Sequence, residues 1–207
     1  MGIWAHIEVV PELLLLLGAA SLVIWHKAHY HFRVVEAGRL YRSGAMGRLG
    51  LWWIWRRYGI RTIVNLTTER ECRKGVWYQR EERFCRKKGI ELVHLPMLQG
   101  VAPDARQIGR FLEVSLNEER QPALVHCKQG VARTNIMVAV YLKERFGRPN
   151  EEILRELPSF GHWLGAPRYD TMREFVLKYK AEENGGDPTL WINSDRAGAA
   201  QMPGSGE

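Results

Sequence analysis

Residues 123–135 read Ala-Leu-Val-His-Cys-Lys-Gln-Gly-Val-Ala-Arg-Thr-Asn, and the interpretation of the whole chain starts from them. The stretch opens with three apolar residues, 123–125, which predict a buried strand. It leads into a run from Ile136 to Arg145 that predicts a helix. A loop with Cys127, five further residues and then Arg133 separates the two. The sequence therefore predicts a strand, a tight loop and a helix in direct succession.

Such a loop is suited to binding a phosphate group. The backbone N–H groups of a tight loop, backed by a helix N-terminus, form a cradle for an anion. Gly130 has no Cβ and lets the loop curl closely around a ligand, and the planar guanidinium of Arg133 can bind two phosphate oxygens at once. The predicted substrate-binding residues are Lys128, Gln129, Gly130, Val131, Ala132 and Arg133.

The electrostatic field that holds phosphate should also ionise Cys127. A thiol near a helix N-terminus and a guanidinium can have a pKa of roughly 3.5–7.5 instead of about 8.5. The resulting thiolate would be a nucleophile beside the bound phosphoryl group. Thr134 would steady this thiolate through its hydroxyl, and His126 would orient the loop by hydrogen bonding. Each residue alone is commonly structural, but the spacing between a strand and a helix makes the set specific.

The His126-Cys127 to Arg133-Thr134 pattern resembles the signature loop of the cysteine-dependent protein tyrosine phosphatase superfamily. Residues 40–44, Leu-Tyr-Arg-Ser-Gly, resemble its dual-specificity branch, particularly the atypical bacterial, fungal and plant members, and the similarity extends over residues 32–180. The resemblance implies an α/β fold with a central mixed sheet flanked by helices. It also implies a phosphocysteine intermediate on Cys127, phosphate bound by Arg133, and a separate general acid, with no metal and no cofactor.

The general acid is the part of the family pattern that this sequence does not match directly. Dual-specificity relatives usually place an aspartate just after the strand that precedes the next helix, where this chain has Leu98 and Gln99. Asp104 is the only aspartate between that strand and the signature loop, so it is the candidate acid. An acidic residue in the first turn of a helix is also stabilised by the helix dipole, which is the structural alternative for Asp104.

Composition indicates one domain with terminal extensions. The chain has 207 residues, 45% of them hydrophobic and 26% charged, with a net charge of +7. A basic surface favours anionic lipid or phosphorylated substrates, and without a long basic block nucleic acid is not expected as a partner. Cys72 and Cys85 have no neighbours at metal-ligand spacing and are predicted to be structural. A working thiolate at Cys127 favours a reducing compartment.

The first 30 residues contain a second feature, an apolar segment over residues 7–25. Leu13 to Trp25 carries no charge, although Glu8 and Glu12 interrupt a full span, and the basic excess follows the segment. We predict an anchor that leaves the catalytic part at the cytoplasmic face of a membrane; the alternatives are a helix packed on the domain or a frayed tail. The predicted organisation is residues 1–30 as this segment, 31–181 as the phosphatase domain and 182–207 as a disordered tail.

The remaining sequence predicts alternating strands and helices. Strands are expected within 32–43 and over 61–66 and 90–95, with helices within 44–58 and over 76–88, 104–119, 151–157 and 168–179; residues 67–75 are expected to form a charged loop. The predicted substrate is phosphotyrosine or phosphoserine/threonine on proteins. Lys128 also suits phosphoinositides or other phospholipid phosphates, although position 131 is Val where the most basic lipid-phosphatase loops have a second Lys. The second hypothesis is a membrane-tethered phosphate-binding module with little turnover.

Overall fold

The computed structural model describes residues 12–19 and 30–181. Residues 12–19 form a short helix, α1, on which Leu13 to Leu17 are 54–74% exposed. Within the described ranges, no helix has both the length and the apolar character needed to cross a bilayer. Most of the predicted 7–25 anchor and the 182–207 tail lie outside the described residues, so both remain predictions.

Five strands form one mixed sheet. They are β1 (Arg33–Glu36), β2 (Leu40–Gly44), β3 (Thr62–Asn65), β4 (Glu91–His94) and β5 (Ala123–Cys127). Their spatial order is β1-β2-β5-β3-β4, with β1 antiparallel to β2 and the other neighbours parallel. The predicted α/β class with a central mixed sheet is therefore confirmed, and β5, the strand that ends at Cys127, lies at the centre of the sheet.

Helices cover both faces of this sheet. After α1 they are α2 (Arg48–Tyr58), α3 (Glu69–Lys74), α4 (Val76–Lys88), α5 (Ala105–Ser115), α6 (Ala132–Phe146), α7 (Asn150–Glu156) and α8 (Asp170–Lys178). Three of these differ from the sequence prediction. Helix α5 ends at Ser115, four residues before the predicted end, and a separate 3₁₀ turn over Glu118–Arg120 follows it. Residues 67–75 are not only a charged loop, because Thr68 caps α3 in a reciprocal capping box. Helix α6 begins four residues earlier than predicted, so Arg133 and Thr134 lie in its first turn.

Alternation along β5 assigns the site residues to opposite faces. Val125 and Cys127 belong to the apolar cluster that α5, α6 and α8 share, whereas Leu124 belongs to the cluster on the side of α2 and α4. His126 consequently points away from Cys127 and toward α4. The parallel register pairs Cys127 with Gly44 and His126 with Asn65, so the carboxyl ends of β2, β3 and β5 meet at one edge of the sheet.

Candidate active site

The loop between β5 and α6 wraps around the sulfur of Cys127. Cys127 is only 2% exposed, and the N–H of Gly130 donates to its Sγ at 3.2 Å. Gly130 adopts a φ of +72°. A Cβ at this position would lie 2.4 Å from the carbonyl oxygen of Ser43. The sequence predicted close approach to a ligand, but the space that Gly130 leaves is occupied by the end of β2, which packs against the back of the loop.

The thiol of Cys127 is held in an environment that favours the thiolate. Burial alone would raise its pKa, but the charge of Arg133 and the hydrogen bonds from Thr134 and Gly130 outweigh burial and bring the pKa below the ordinary value. Thr134 is fully buried and its hydroxyl contributes to the lowered pKa of the thiol, although it has no partner in full hydrogen-bond geometry among the described residues. The loop therefore stabilises an anion at the sulfur itself.

Arg133 is fixed by a carboxylate that sequence reasoning missed. Its two terminal nitrogens donate to Glu71 at 2.6 and 2.9 Å, and Nη1 also donates to the carbonyl oxygens of Leu66 and Met97. The side chains of Arg133 and Glu71 are 6% and 26% exposed. These contacts use the edge of the guanidinium that carries both terminal nitrogens. Nε makes none of these contacts, and the thiol of Cys127 interacts with the same guanidinium.

Glu71 combines two structural roles. It closes the capping box of α3 by accepting from the N–H and the hydroxyl of Thr68 at 2.9 and 3.0 Å. Although burial alone would raise its pKa, the hydrogen bonds and charge of Arg133, together with Thr68, lower the pKa from 4.5 to about 2. Glu71 is therefore ionised at all physiological pH values, and α3 is tied to the phosphate-binding arginine.

Comparison with known proteins assigns this architecture to a family. The sequence model of the family described as "DSP-PTPase phosphatase fused to NAD+ Kinase" matches residues 24–157. The chain belongs to this family. It is a cysteine-dependent phosphatase of the dual-specificity type, which confirms the resemblance found in the signature loop.

The curated relatives are much longer than the matched part of this phosphatase. It is 31% identical over 99 residues to "Probable NAD kinase 2, chloroplastic" of Oryza sativa subsp. japonica, covering 48% of this chain and 10% of that protein. It is 33% identical over 119 residues to "NAD kinase 2, chloroplastic" of Arabidopsis thaliana, and the match covers 57% of this chain and 11% of that protein. The phosphatase chain thus matches about a tenth of the length of these relatives.

Solved structures show the same fold at low sequence identity. The core catalytic domain of the PP-IP phosphatase Siw14 from S. cerevisiae, with citrate, has a TM-score of 0.61 and 22% identity, covering 84% of this chain and 94% of that one. TpbA from P. aeruginosa, in complex with phosphotyrosine, has a TM-score of 0.56 and 18% sequence identity, and the match covers 81% of this chain and 91% of that one. PTPMT1 in complex with PI(5)P has a TM-score of 0.56 and 16% sequence identity, and the match covers 70% of this chain and 94% of that one. At these identities the likeness establishes the fold alone.

A buried arginine supports the loop of the phosphatase from behind. Arg42 on β2 is 2% exposed and donates to the carbonyl oxygen of Gly130 and to Oδ1 of Asn135. Its guanidinium also lies 5.3 Å from the centre of the Phe160 ring. Burial lowers the pKa of Arg42 to about 10, which leaves it charged at neutral pH. Two guanidinium groups, those of Arg42 and Arg133, therefore act on the sulfur of Cys127.

His126 lies on the opposite face of β5 in a buried polar network. Its Nε2 is 3.0 Å from Oε1 of Glu81, an ion-pair contact without hydrogen-bond geometry, and both side chains are 1% exposed. The other oxygen of Glu81 accepts from Asn65 at 2.7 Å. Burial alone would lower the pKa of His126, but the charge of Glu81 raises it above the ordinary value. The predicted orienting residue is thus attached to α4.

The chain just before β1 also contacts the catalytic loop. Nδ1 of His31 lies 2.6 Å from the carbonyl oxygen of Gln129, so this nitrogen must carry the proton and donate it. The His31 ring stacks between Tyr30 and Phe160, with ring centroids 4.2 and 4.3 Å away. This stack holds the peptide of Gln129 in place from the solvent side.

The other predicted substrate-binding residues differ in exposure. Lys128 and Gln129 are exposed at the surface of the loop, Ala132 is half-buried, and Val131 is fully buried in the core beneath it. Only backbone groups of Val131 are thus available to a ligand, because its side chain serves packing.

Asp104 is an exposed helix cap in this structure. Its carboxylate accepts from the N–H of Gln107 at 2.7 Å, and the Gln107 side chain returns a contact to the Asp104 N–H. Gln107 also donates to the carbonyl oxygen of Pro96 at 2.6 Å, which ties the cap to the loop after β4. The structural alternative weighed for Asp104 is therefore present, and the residue must leave this cap to act as an acid.

Sequence reasoning named the nucleophile and the arginine but missed their supports. Glu71 had a visible signal, since Thr68 followed by an acidic residue three positions later is the capping-box pattern. Glu81 and Asn65 had no visible signal in the sequence. A glutamate within a charged helix and an asparagine at the end of a strand are both common features that indicate no site. Their role depends on a strand pairing that only the fold shows.

Proposed function

We propose that this phosphatase hydrolyses phosphomonoesters through a phosphocysteine intermediate on Cys127. The observation that carries the proposal is the sulfur of Cys127 enclosed by backbone N–H groups, with its pKa lowered and with Arg133 fixed beside it by Glu71. Substrate phosphate would occupy the cradle, where the loop N–H groups and Arg133 hold its non-bridging oxygens. The enzyme rather than the passive binding module is favoured by this preformed nucleophile and by the family match.

The reaction follows from this arrangement in two steps. The thiolate attacks phosphorus, forming an S–P bond as the bond to the leaving oxygen breaks, and a general acid gives that oxygen its proton. A water molecule then attacks phosphorus, the S–P bond breaks, and inorganic phosphate and the thiolate are released. Arg133 and the N–H groups stay in contact with the phosphoryl oxygens throughout.

Asp104 is the acid we propose for the first step. The change Asp104→Asn removes the proton but preserves the helix cap, because Asn caps as well as Asp. We expect a loss of about 10²–10⁴ in turnover with alkyl phosphates, and a much smaller loss with p-nitrophenyl phosphate, whose leaving group needs no proton. Equal turnover of alkyl phosphates by the wild type and by Asp104→Asn would remove Asp104 from the mechanism.

The proposed substrates are phosphotyrosine and phosphoserine/threonine on proteins, with phosphoinositides or other phospholipid phosphates as the alternative. Exposed Lys128, directly after the nucleophile, supports an anionic surface or substrate. The related structures bind citrate, phosphotyrosine and PI(5)P, so the shared fold does not choose between these classes. Membrane association through residues 7–25 would favour the lipid alternative.

Phosphate release from a panel of substrates tests the proposal. The panel contains a phosphotyrosine peptide, a phosphoserine peptide, PI(5)P in vesicles and p-nitrophenyl phosphate. The Cys127→Ser variant should release no phosphate from any of them. Cys85→Ser is the matched control, since Cys85 is buried in the apolar cluster on the other side of the sheet and should be dispensable. Equal activity of wild type and Cys127→Ser would disprove the phosphocysteine mechanism.

A further inference from the structure

A cavity of about 350 Å³ opens directly beside the catalytic loop. Its walls include Lys128 from the loop, Arg80 and Trp77 from α4, and Tyr30 from the segment before β1. The N–H of Ala45 donates to the carbonyl oxygen of Lys128 at 3.1 Å, so the loop forms one side of the cavity. A group bound there would adjoin a phosphate in the cradle.

The cavity carries two positive charges without local neutralisation. Within residues 12–19 and 30–181, neither Arg80 nor Lys128 forms an ion pair or a side-chain hydrogen bond. The nearest acidic residue along α4, Glu81, is buried and engaged with His126 and Asn65. A guanidinium and an ammonium facing one small space attract a group with two or more anionic oxygens.

The aromatic walls of the cavity are held in place. The indole of Trp77 covers Gly75, where an added Cβ would lie 2.2 Å from Nε1, and it meets the His126 ring edge-to-face at 6.5 Å. Tyr30 covers Gly44 in the same way, with an added Cβ 2.4 Å from its ring. The cavity is thus preformed rather than created by side-chain movement. Its size suits a compact ligand.

We infer that this cavity is a subsite for a second phosphate, so that among small-molecule substrates the enzyme prefers compact molecules that carry two or more phosphate groups. The inference rests on the proposed function, because the first phosphate must occupy the cradle over Cys127. The space is short and walled by Trp77 and Tyr30, which suits the second phosphate of a compact molecule. Within the alternative class of small phosphorylated molecules, the cavity therefore favours those with two or more phosphate groups.

The test compares a compact substrate that has one phosphate with the same molecule that has two. We would measure kcat/KM for inositol monophosphate and inositol bisphosphate, and for a phosphotyrosine peptide with and without flanking aspartates. In Arg80→Gln the bisphosphate-to-monophosphate ratio should fall about tenfold, since one charge-assisted contact to phosphate is lost. Arg83→Gln, which removes an equal charge one turn along α4, is the control and should keep the wild-type ratio.

Binding supplies a second measurement that does not depend on turnover. In the Cys127→Ser background, calorimetry should show tighter binding of the bisphosphate than of the monophosphate, and Arg80→Gln should remove that difference. An unchanged ratio in Arg80→Gln, or an equal loss in Arg83→Gln, would overturn the subsite. Sensitivity of only the aspartate-flanked peptide to Arg80→Gln would also overturn it. If no substrate releases phosphate at all, the proposed function fails instead.

Discussion

Replacing Glu71 with Gln tests whether the ion pair to Arg133 stabilises the active site. Gln keeps the shape of the side chain and can still complete the capping box with Thr68, so α3 should remain formed. What the substitution removes is the charge that faces Arg133 at 2.6 and 2.9 Å. Any effect therefore reports the ion pair rather than the loss of a helix.

The size of the effect follows from the pKa of Glu71, which is lowered from 4.5 to about 2. At about 1.4 kcal/mol per pKa unit, this lowering corresponds to at most about 3.4 kcal/mol. Thr68 contributes part of it, and the Glu71 side chain is 26% exposed, so solvent screens the pair. We expect Glu71→Gln to reduce the free energy of unfolding by about 1–2 kcal/mol at pH 7.

The same pKa fixes how this loss depends on pH. A carboxylate with a lowered pKa in the folded state stabilises the protein fully above its unfolded pKa of 4.5, and the stabilisation disappears as the pH falls through about 2. At pH 3 less than half of it should remain. Urea unfolding at pH 7 and pH 3 should therefore show the difference between wild type and Glu71→Gln shrinking with acidity.

Activity provides the functional readout for the same variant. Without Glu71 the guanidinium of Arg133 is no longer aligned, and kcat/KM should fall by about tenfold to a hundredfold. Glu69→Gln is the control, because Glu69 lies on the same helix in an exposed pair with Arg73 and should alter stability by less than about 0.5 kcal/mol. A stability difference that is equal at pH 7 and pH 3 would refute the ion-pair explanation.

Three further outcomes are expected. Iodoacetamide at pH 7 should alkylate Cys127 before Cys72 and Cys85, because burial raises the pKa of the Cys72 and Cys85 thiols, to about 12 for Cys85. Vanadate should protect Cys127 from alkylation. Labelling of Cys85 before Cys127 would contradict this ordering of thiol pKa values. Gly130→Ala should abolish activity and cost at least about 1–3 kcal/mol in urea unfolding, since its φ is +72° and the new Cβ meets the backbone of β2. His31→Ala should cost about 0.5–1.5 kcal/mol and lower kcat/KM, whereas an unchanged kcat/KM would make the stack on the loop merely structural.

The sequence predicted the parts of the fold that local patterns encode. A β-branched run indicated β3, and Gly89 indicated the end of α4 and the start of β4; the bounds of α4 agree with the prediction to the residue. The start of α6 was missed because Arg133 and Thr134 look like loop residues. They begin a helix whose first N–H groups remain available for an anion instead of a side-chain cap.

The supporting residues of the site were not predictable because they depend on strand order. Glu81 is 45 positions before His126 in the chain, and only the parallel pairing of β3 with β5 brings α4 over that histidine. Arg42 was noticed as part of a resemblance, yet its contact with Gly130 requires β2 to lie beside β5. Sequence spacing identifies residues that meet within one loop; it does not identify partners contributed by neighbouring strands.

The distribution of charge around the sulfur explains why the fold favours a thiolate in a buried site. Arg133 is neutralised by Glu71, but Arg42 has no carboxylate partner among residues 30–181, and its buried charge is offset by a carbonyl, an amide, an aromatic ring and the thiolate. Neutralising the thiolate would leave that guanidinium without an anionic partner in a buried site, which is costly. Ionised Cys127 and charged Arg42 therefore stabilise each other. Because these charges balance, a bound phosphate would also depend on the loop N–H groups and on the uncapped N-terminus of α6.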